Sequence, residues 1–388
     1  MDKKRVVVTG IGAVAAPGIG IDDIWKGLHT GPTHDGPKLI ENWNPDPIVP
    51  LRESRRLDRF TQFALVAADE AFQQAGDFVD DPNRVTVSIA TGIGGLESLE
   101  HLVNESQKEE PRVSPFQIPM MMANAAAAAI SIKYGFGGMA STPVVACAAG
   151  SQSILDGMRQ VQWGYADVAV VGGTEAAARN SAREGFAAAR ALSKSGIARP
   201  FDLDRDGFVM GEGGAVLVLE ELERARARGA TILAEVLGGA STADAYHITA
   251  PHPKGDGAER AMRLAIDDAG IDLADVGYIN AHGTGTELND RTEGVVVDRI
   301  FGNEQPAISS IKGTTGHGLG ASGSIEAAIV IESIIRGELL PNIGMENQDP
   351  AIPLNDIVEE TRSWDPKPTL SNSFGFGGHN TVPAFGPY

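Results

Sequence analysis

The only cysteine of the 388-residue chain, Cys147, lies in a run of small and apolar residues, TPVVACAAG. We predict that a buried strand ends at residues 144–146 and that a helix follows over residues 151–161, where apolar side chains recur on one face. A thiol at such a junction faces unpaired backbone N–H groups and the helix dipole, which lower its pKa. The segment therefore predicts a reactive cysteine, although a small buried structural cysteine fits the same residues equally well.

Three glycine-rich loops carry the other groups that could react. They span residues 280–286 (NAHGTGT), 309–318 (SSIKGTTGHG) and 372–380 (NSFGFGGHN). The first loop holds His282, and the second holds Lys312 and His317. Each loop is predicted to lie at the end of a strand, and ligand sites of open α/β sheets lie beyond the carboxyl ends of the strands, so we expect the loops to converge. One histidine in such a loop is more often structural, whereas two histidines with a lysine and a cysteine favour catalysis.

The composition limits the class of protein. With 388 residues, 42% of them hydrophobic, the chain can build one large α/β unit or two fused units, and a single cysteine excludes a disulfide framework. The formal net charge of −19 opposes nucleic-acid binding and most simply favours solubility. No apolar run approaches the ~20 residues that span a bilayer, and the first residues enter a strand at once. We therefore expect a cytoplasmic protein with no signal peptide and no membrane segment.

Two short motifs match cofactor sites that their surroundings do not support. Residues 10–15 (GIGAVA) fit the G-x-G-x-x-A dinucleotide pattern, but the PGIG run that follows breaks the helix that such a site requires. Residues 202–214 (DLDRDGFVMGEGG) resemble a calcium loop, but they lack the bidentate glutamate at the required position. Neither segment predicts a nucleotide or calcium site.

Strands and helices alternate along the chain in two series, which we predict to meet near residue 230. Residues 1–230 would form the half with the cysteine, and residues 231–388 the half with both histidines. Similar small-residue loops end strands in both halves, which indicates an internal duplication within an α/β fold. Helices are also predicted over residues 54–75, opening with a cluster of arginines, and over residues 120–134.

Motifs spread over essentially the whole chain resemble those of a single family. They are VVVTGIG at 6–12, RRLDRFTQFAL at 55–65, the segment around Cys147, RPFDLDRDGFVMGEG at 199–213, NAHGTGT, the run from Lys312 to His317, and NSFGFGG. Together they are similar to the elongating β-ketoacyl-acyl carrier protein synthases, condensing enzymes of type II systems. The resemblance implies a thiolase-like, five-layer αβαβα fold made of two duplicated halves.

The resemblance also implies an acyl-transfer reaction without a metal or organic cofactor, with substrates carried on the phosphopantetheine of an acyl carrier protein. Cys147 would take the acyl chain as a thioester. His282 and His317, as neutral donors, would stabilise the enolate left when a malonyl thioester loses carbon dioxide. The backbone N–H groups of Cys147 and Phe376 would hold the tetrahedral oxyanion, and Phe376, between glycines, would act as a movable gate.

Supporting roles follow for residues around this centre. Lys312 would orient His317, with Glu326 as the partner of the lysine. Thr284 and Thr286 would bind the pantetheine arm.

Further from the centre, the resemblance implies an acyl tunnel and a docking surface. The tunnel would be lined by Ile93 and Gln117. The acidic carrier protein would dock on Arg55, Arg56 and Arg199, because a chain of net charge −19 needs a local basic patch to attract it.

Several relatives of different activity share parts of this pattern. Degradative thiolases use a second cysteine, which this chain lacks, and chain-initiating synthases pair the cysteine with one histidine and an asparagine. A non-catalytic chain-length factor lacks the cysteine. Two departures from the family pattern are a short segment before Arg55 and Ala148 in place of a serine or threonine. Fatty-acid and polyketide elongation both stay open, as do a homodimer and a heterodimer with a chain-length-factor-like subunit.

Overall fold

The computed structural model describes residues 3–31 and 34–388. Its strands are β1 (Val6–Ala15), β2 (Gly18–Ile19), β3 (Val85–Ala90), β4 (Ala140–Ser141), β5 (Val168–Glu175), β6 (Gly213–Glu221), β7 (Ala234–Ala243), β8 (Tyr278–Asn280), β9 (Ala307–Ser309), β10 (Glu338–Leu339), β11 (Arg362–Ser363), β12 (Thr369–Ser371), β13 (Ser373–Gly375) and β14 (His379–Gly386). Its α-helices are α1 (Ile21–Thr30), α2 (Leu51–Ser54), α3 (Arg59–Ala75), α4 (Leu96–Ser106), α5 (Gln117–Met121), α6 (Ala125–Tyr134), α7 (Ala149–Gln162), α8 (Asn180–Ala188), α9 (Leu222–Ala227), α10 (Asp256–Ala269), α11 (Glu287–Phe301), α12 (Lys312–Thr315) and α13 (Ser322–Arg336). Within the described ranges, no helix is long and apolar enough to cross a membrane.

The main strands form one continuous sheet in which the same pattern of directions occurs twice. Its order is β4-β3-β5-β6-β1-β7-β14-β12-β8-β9. The first run of five strands has β4, β3 and β5 parallel to one another, followed by β6, antiparallel to β5, and β1, antiparallel to β6. The second run has β9, β8 and β12 parallel to one another, followed by β14, antiparallel to β12, and β7, antiparallel to β14. The runs join where β1 pairs with β7. This repeat confirms the predicted duplication, and the boundary near residue 230 stays a prediction.

Helices α7 and α13 lie between the two runs of strands. α7 packs on β3 and β5 and also on β14, while α13 packs on β1 and β6 and also on β12. α3 packs on the opposite face of the first run, because Ala169 and Val171 of β5 belong to the α7 core whereas Val168 and Val170 belong to the α3 core. α10 covers the second run, with α11 beside it. The continuous sheet thus supplies two layers, because its two runs of strands face each other across α7 and α13. With α3 outside the first run and α10 and α11 outside the second, the layers alternate helix, sheet, helix, sheet, helix, as the thiolase-like prediction requires.

The prediction that a buried strand ends at residues 144–146 is wrong. β4 ends at Ser141, and the next residues lie at the sheet edge, where Pro143 has no N–H to continue the ladder. Val144 is half exposed, so its apolar character does not mark a buried strand. Residues 146–148 form a 3₁₀ turn, and α7 begins at Ala149, earlier than predicted.

Both other helix predictions need correction. The helix predicted over residues 54–75 begins at Arg59, because Asp58 caps it by accepting the Phe60 N–H at 3.3 Å. Arg55 and Arg56 consequently lie in the turn before α3 and not on the helix. The helix predicted over residues 120–134 is divided into α5 and α6.

The glycines that imitate a dinucleotide motif serve helix packing. β1 continues through them to Ala15, so no helix opens there. A Cβ on Gly10 would lie 2.1 Å from Ala71 O, and one on Gly12 would lie 2.1 Å from Ala67 O. The glycines let α3 lie directly on the backbone of β1, which explains the motif without a nucleotide.

Candidate active site

One cavity of about 400 Å³ is lined by Cys147, His282 and His317 together. His282 follows β8, His317 follows α12, and Cys147 lies in the 3₁₀ turn before α7. The cavity wall takes further side chains from the first part of the chain, among them Phe186 and Phe208, and from the second part, among them Thr284, Thr286, Leu319, Phe374 and Phe376. The structure thus brings the three glycine-rich loops and the cysteine to one place.

The Cys147 thiol is buried in an apolar cluster. This cluster, called the Cys147 cluster below, also contains Ala177, Phe208, Met210 and Leu319, with Leu96, Ala146, Ala178, Ala182, Phe186, Ala191 and Leu192 packed against it. Burial raises the pKa of the thiol to about 12, because a thiolate would lose its hydration there. The charge of Lys312 and the N–H groups of Phe376 and Cys147 act in the opposite direction without outweighing burial. The lowered pKa predicted from the helix start is therefore wrong, and the free thiol must lose its proton as it attacks a substrate.

The backbone around Cys147 lies close against the hairpin of β13 and β14. A Cβ on Gly375 would lie 3.0 Å from Val145 O and 3.1 Å from Cys147 N, so a larger residue would push the hairpin away. The N–H of the next residue, Phe376, lies within hydrogen-bonding range of the Cys147 sulfur, where it favours the thiolate. Together with the N–H of Cys147 itself, it forms a pair of donors that can hold an oxyanion.

The two histidines form a neutral pair. Their ring centroids are 5.4 Å apart and the rings are nearly perpendicular, at 83°. Burial, assisted by the charge of Lys312, lowers the pKa of both His282 and His317 well below 6.5. His317 Nδ1 lies 3.0 Å from Ser322 Oγ, and a hydroxyl donating there leaves the ring proton on Nε2. Neutral rings of this kind can donate N–H bonds to a developing oxyanion without a permanent charge of their own.

Lys312 holds the main chain of the His282 loop. Its ammonium group, on a side chain only 1% exposed, donates to the His282 carbonyl oxygen at 2.7 Å and forms an ion pair with Glu326. The predicted partnership with Glu326 is present. The ammonium contacts the backbone of His282, however, whereas the His317 ring is oriented by Ser322, a residue that the sequence analysis missed.

Two buried carboxylates of α11, also missed, fix the same loop. Glu293 accepts the N–H groups of His282 and Gly283, each at 2.8 Å, and Asp290 accepts the N–H of Thr284 at 3.0 Å. Burial raises the pKa of Glu293 to about 7. The sequence does hold a sign of them. Asp290 and Glu293 are three residues apart on a helix that begins directly after a glycine-rich loop, and they share its buried face with apolar Val297.

The threonines form one wall of the cavity. Thr284 Oγ1 and Thr286 Oγ1 lie 3.0 Å apart, and both residues line the cavity. Two arginines also line it: Arg205, which is paired with Asp349 at 2.7 Å, and Arg190. Hydroxyls beside cations suit the amide and phosphate groups of a pantetheine arm.

Phe376 sits at the tip of the β13–β14 hairpin. Gly377 and Gly378 after it have left-handed φ values of 85° and 75°, which only glycine adopts readily. The Phe376 side chain is 36% exposed, and its ring centroid lies 6.2 Å from that of Phe186. The position fits the predicted gate, which stays a prediction.

The two residues expected in an acyl tunnel lie outside the catalytic cavity. Gln117 is buried and donates to the Ser98 carbonyl oxygen, and it lines a second cavity of about 650 Å³. Ile93 is 42% exposed and, among the described residues, is not part of the catalytic cavity wall. Their assignment to the tunnel stays a prediction.

The arginines expected to dock a carrier protein are not, within the described ranges, part of the catalytic cavity wall. Arg55 and Arg56 are exposed, and the Arg56 guanidinium lies 4.7 Å from the Phe116 ring centroid. Arg55 lines the second cavity. Arg199 is partly buried, with an Nε atom that has no hydrogen-bond partner among the described residues. Docking on these residues stays a prediction.

A thiolase-like fold with a cysteine and two neutral histidines in one cavity defines a condensing enzyme. Residues 3–225 match the family model described as the N-terminal domain of β-ketoacyl synthase, and residues 233–346 match its C-terminal domain. The chain belongs to the β-ketoacyl synthase family.

Full-length relatives and solved structures agree with this assignment. The chain is 44% identical to 3-oxoacyl-[acyl-carrier-protein] synthase 2 of Synechocystis sp., with 100% of this chain and 99% of the relative covered, and 43% identical to that of Staphylococcus aureus, with 98% of each covered. Among solved structures it resembles the ishigamide ketosynthase/chain length factor, with a TM-score of 0.93 and 32% identity. It also resembles a type II polyketide ketosynthase in complex with its acyl-carrier protein, with a TM-score of 0.91 and 30% identity; each comparison covers 100% of both chains.

Proposed function

We propose that this protein catalyses the decarboxylative Claisen condensation of a malonyl thioester with an acyl group held on Cys147, both substrates arriving on acyl carrier protein. The observation that carries the proposal is the single cavity lined by Cys147, His282 and His317. The relatives named above are synthases of the same carrier-dependent kind. A cytoplasmic location stays a prediction.

In the first half-reaction the Cys147 sulfur attacks the acyl carbonyl of a carrier-bound thioester. The new sulfur–carbon bond forms as the bond to the pantetheine sulfur breaks, and the thiol proton leaves with the released pantetheine thiol. The N–H groups of Cys147 and Phe376 stabilise the oxyanion of the tetrahedral intermediate. Because burial raises the pKa of the Cys147 thiol, the buried site favours the protonated form before the substrate arrives.

In the second half-reaction the malonyl group loses carbon dioxide, and the electron pair of the broken carbon–carbon bond becomes an enolate. His282 and His317, both neutral, donate hydrogen bonds to the enolate oxygen. The enolate carbon then attacks the acyl thioester on Cys147, and the departing sulfur takes up one proton. The product is a β-ketoacyl thioester on the carrier, two carbons longer than the acyl group.

A defined mixture of purified components tests this proposal. Wild-type protein, an acyl-carrier thioester and a malonyl-carrier thioester should give the β-ketoacyl carrier, measured by mass spectrometry, with one carbon dioxide released per product. Carbon dioxide release without formation of the β-ketoacyl carrier would mean that the protein is only a decarboxylase. If neither carbon dioxide nor the β-ketoacyl carrier forms, the proposal is wrong.

The acidic carrier should be steered by Arg55 and Arg56. The chain carries a net charge of −19, so an acidic partner is repelled on average and needs a local cluster of exposed cations. Arg55→Glu/Arg56→Glu should raise KM for carrier-bound substrate at least tenfold, leave kcat for an acyl-pantetheine mimic unchanged, and flatten the salt dependence. Steady-state kinetics at several ionic strengths measures all three.

Arg52→Glu is the matched control, because Arg52 is also exposed and lies on the adjacent α2. It should change KM much less than the double variant does. If the double variant loses activity equally on the carrier-bound substrate and the pantetheine mimic, the arginines act in folding or catalysis, and the docking surface lies elsewhere.

A second candidate is the catalytic subunit of a type II polyketide synthase, working with a chain-length-factor-like partner. The match to the ishigamide ketosynthase/chain length factor favours it. The contacting helices α4, α5 and α6, with the short connection between α5 and α6, expose apolar side chains that suit a subunit interface, among them Leu99, Val103, Ile118, Met122 and Ile132. Native mass spectrometry distinguishes the two: an active homodimer supports an independent synthase, whereas activity only with a second subunit supports the polyketide role.

A further inference from the structure

Glu175 is a buried carboxylate that none of these steps uses. It ends β5, and none of its surface is exposed. Its Oε2 accepts the N–H groups of Gly92 at 2.7 Å and Gly320 at 3.2 Å, and its Oε1 accepts the Thr91 hydroxyl at 3.2 Å. Burial raises the pKa of this carboxyl group to about 7. Its oxygens are therefore held by backbone and hydroxyl donors from two other segments of the chain.

The segments that Glu175 joins are in direct backbone contact. A Cβ on Gly320 would lie 2.1 Å from Gly92 N, and a Cβ on Gly92 would lie 2.7 Å from Glu175 Oε2. Thr91 Oγ1 extends the arrangement by accepting the N–H of Gly94 at 3.0 Å. The Glu175 carboxylate thus bonds both segments at the place where the backbones of Gly92 and Gly320 touch, with no side chain between them.

Each joined segment supplies an apolar side chain to the Cys147 cluster. Leu96 follows the Gly92 segment at the start of α4, Ala177 follows Glu175, and Leu319 directly precedes Gly320. Leu319 also lines the catalytic cavity. Because Leu319 and Cys147 line the same cavity, an acyl chain attached to the Cys147 sulfur would lie beside the apolar wall to which Leu319 belongs. Glu175 joins the segments that carry the side chains of this wall.

We propose that Glu175 is a positioning residue that sets the apolar wall beside Cys147 and thereby the acyl-length selectivity of the first half-reaction. The proposal rests on the proposed function, because it requires acyl transfer to Cys147. A carboxylate presents acceptors alone, whereas a glutamine turns one oxygen into an N–H₂ donor. Both backbone N–H groups bond Oε2, so the glutamine oxygen can keep that position and the N–H₂ donor then replaces Oε1. There it would face the Thr91 hydroxyl, whose proton would lose its acceptor, and the link between the segments would be weakened.

The test is Glu175→Gln, which keeps the size of the side chain. Single-turnover acylation of Cys147 should be measured with acetyl and dodecanoyl thioesters. The ratio of dodecanoyl to acetyl rates should fall about tenfold, the effect expected when an apolar pocket is misfitted by roughly one methylene. Glu70→Gln is the matched control, since Glu70 also accepts two backbone N–H groups, from Ala13 at 2.9 Å and Ile21 at 2.8 Å. It should leave the ratio unchanged.

A folded Glu175→Gln variant with the wild-type ratio, or with equal losses on both substrates, overturns the proposal. If that variant does not fold, Thr91→Val decides: it removes the hydroxyl that bonds Glu175 and Gly94, and it should lower the same ratio, whereas an unchanged ratio again overturns the proposal. Failure of the proposed function itself looks different, because wild-type protein would then form no acyl adduct with either thioester.

Discussion

Cys147→Ala is expected to abolish acyl transfer completely, because the 388-residue chain contains no other thiol that could take the acyl group. Intact-mass spectrometry after incubation with an acyl-carrier thioester should show one acyl adduct on the wild-type chain and none on the variant. The thiol occupies the catalytic cavity wall and is otherwise enclosed by small and apolar side chains, so alanine should be accommodated without loss of the fold.

Cys147→Ser is the matched control for this substitution, since it preserves the size of the side chain and leaves a much weaker nucleophile. Its melting temperature should equal that of the wild type, and its acylation should be absent or very slow. An acyl adduct that persists on the alanine variant would assign the nucleophile to another residue and remove the basis of the first half-reaction.

His282→Ala and His317→Ala should each slow malonyl decarboxylation by about 10²–10³, the usual effect of losing one donor to a developing oxyanion. Acylation of Cys147 should be reduced much less, because the enolate forms only in the second half-reaction. Carbon dioxide release from malonyl-carrier thioester and acyl-adduct formation, measured on the same samples, separate the two effects.

His29→Ala is a suitable control, because His29 lies on α1 and, within the described part of the chain, is not among the residues of the cavity wall. It should leave both rates unchanged. Normal carbon dioxide release by His282→Ala and His317→Ala would mean that the paired rings are structural, and the proposed enolate stabilisation would be lost with them.

The reactive groups could be found from the sequence because each lies in a short local motif. Cys147 is the only thiol, and His282, Lys312 and His317 lie in glycine-rich loops near strand ends. These short motifs indicated both the chemistry of the residues and that they would lie close together. The duplicated strand–helix order was also visible, since it depends on local periodicity.

The groups that hold the loops could not be found in the same way. Glu293, Asp290 and Ser322 act through contacts that form only when α11 and α13 pack beside the loops. Lys312 was identified, but its contact with the His282 backbone depends on the same tertiary packing.

Local patterns also gave two wrong answers for physical reasons. The apolar run before Cys147 predicted a strand, although Pro143 and the exposed sheet edge prevent one from continuing. The helix start predicted a lowered thiol pKa, yet desolvation in the Cys147 cluster raises it. Both errors arise because burial is decided by the whole fold and not by the neighbouring residues.

The most direct test of the central claim follows the acyl group on Cys147 through one turnover. Wild-type protein is first acylated with an isotopically labelled acyl thioester, freed of excess reagent, and then mixed with malonyl-carrier thioester. The adduct mass on the protein should disappear at the same rate as carbon dioxide and labelled β-ketoacyl carrier appear, in equal amounts. Labelled product formed while the adduct on Cys147 remains in full would contradict the claim that the acyl-enzyme is the intermediate.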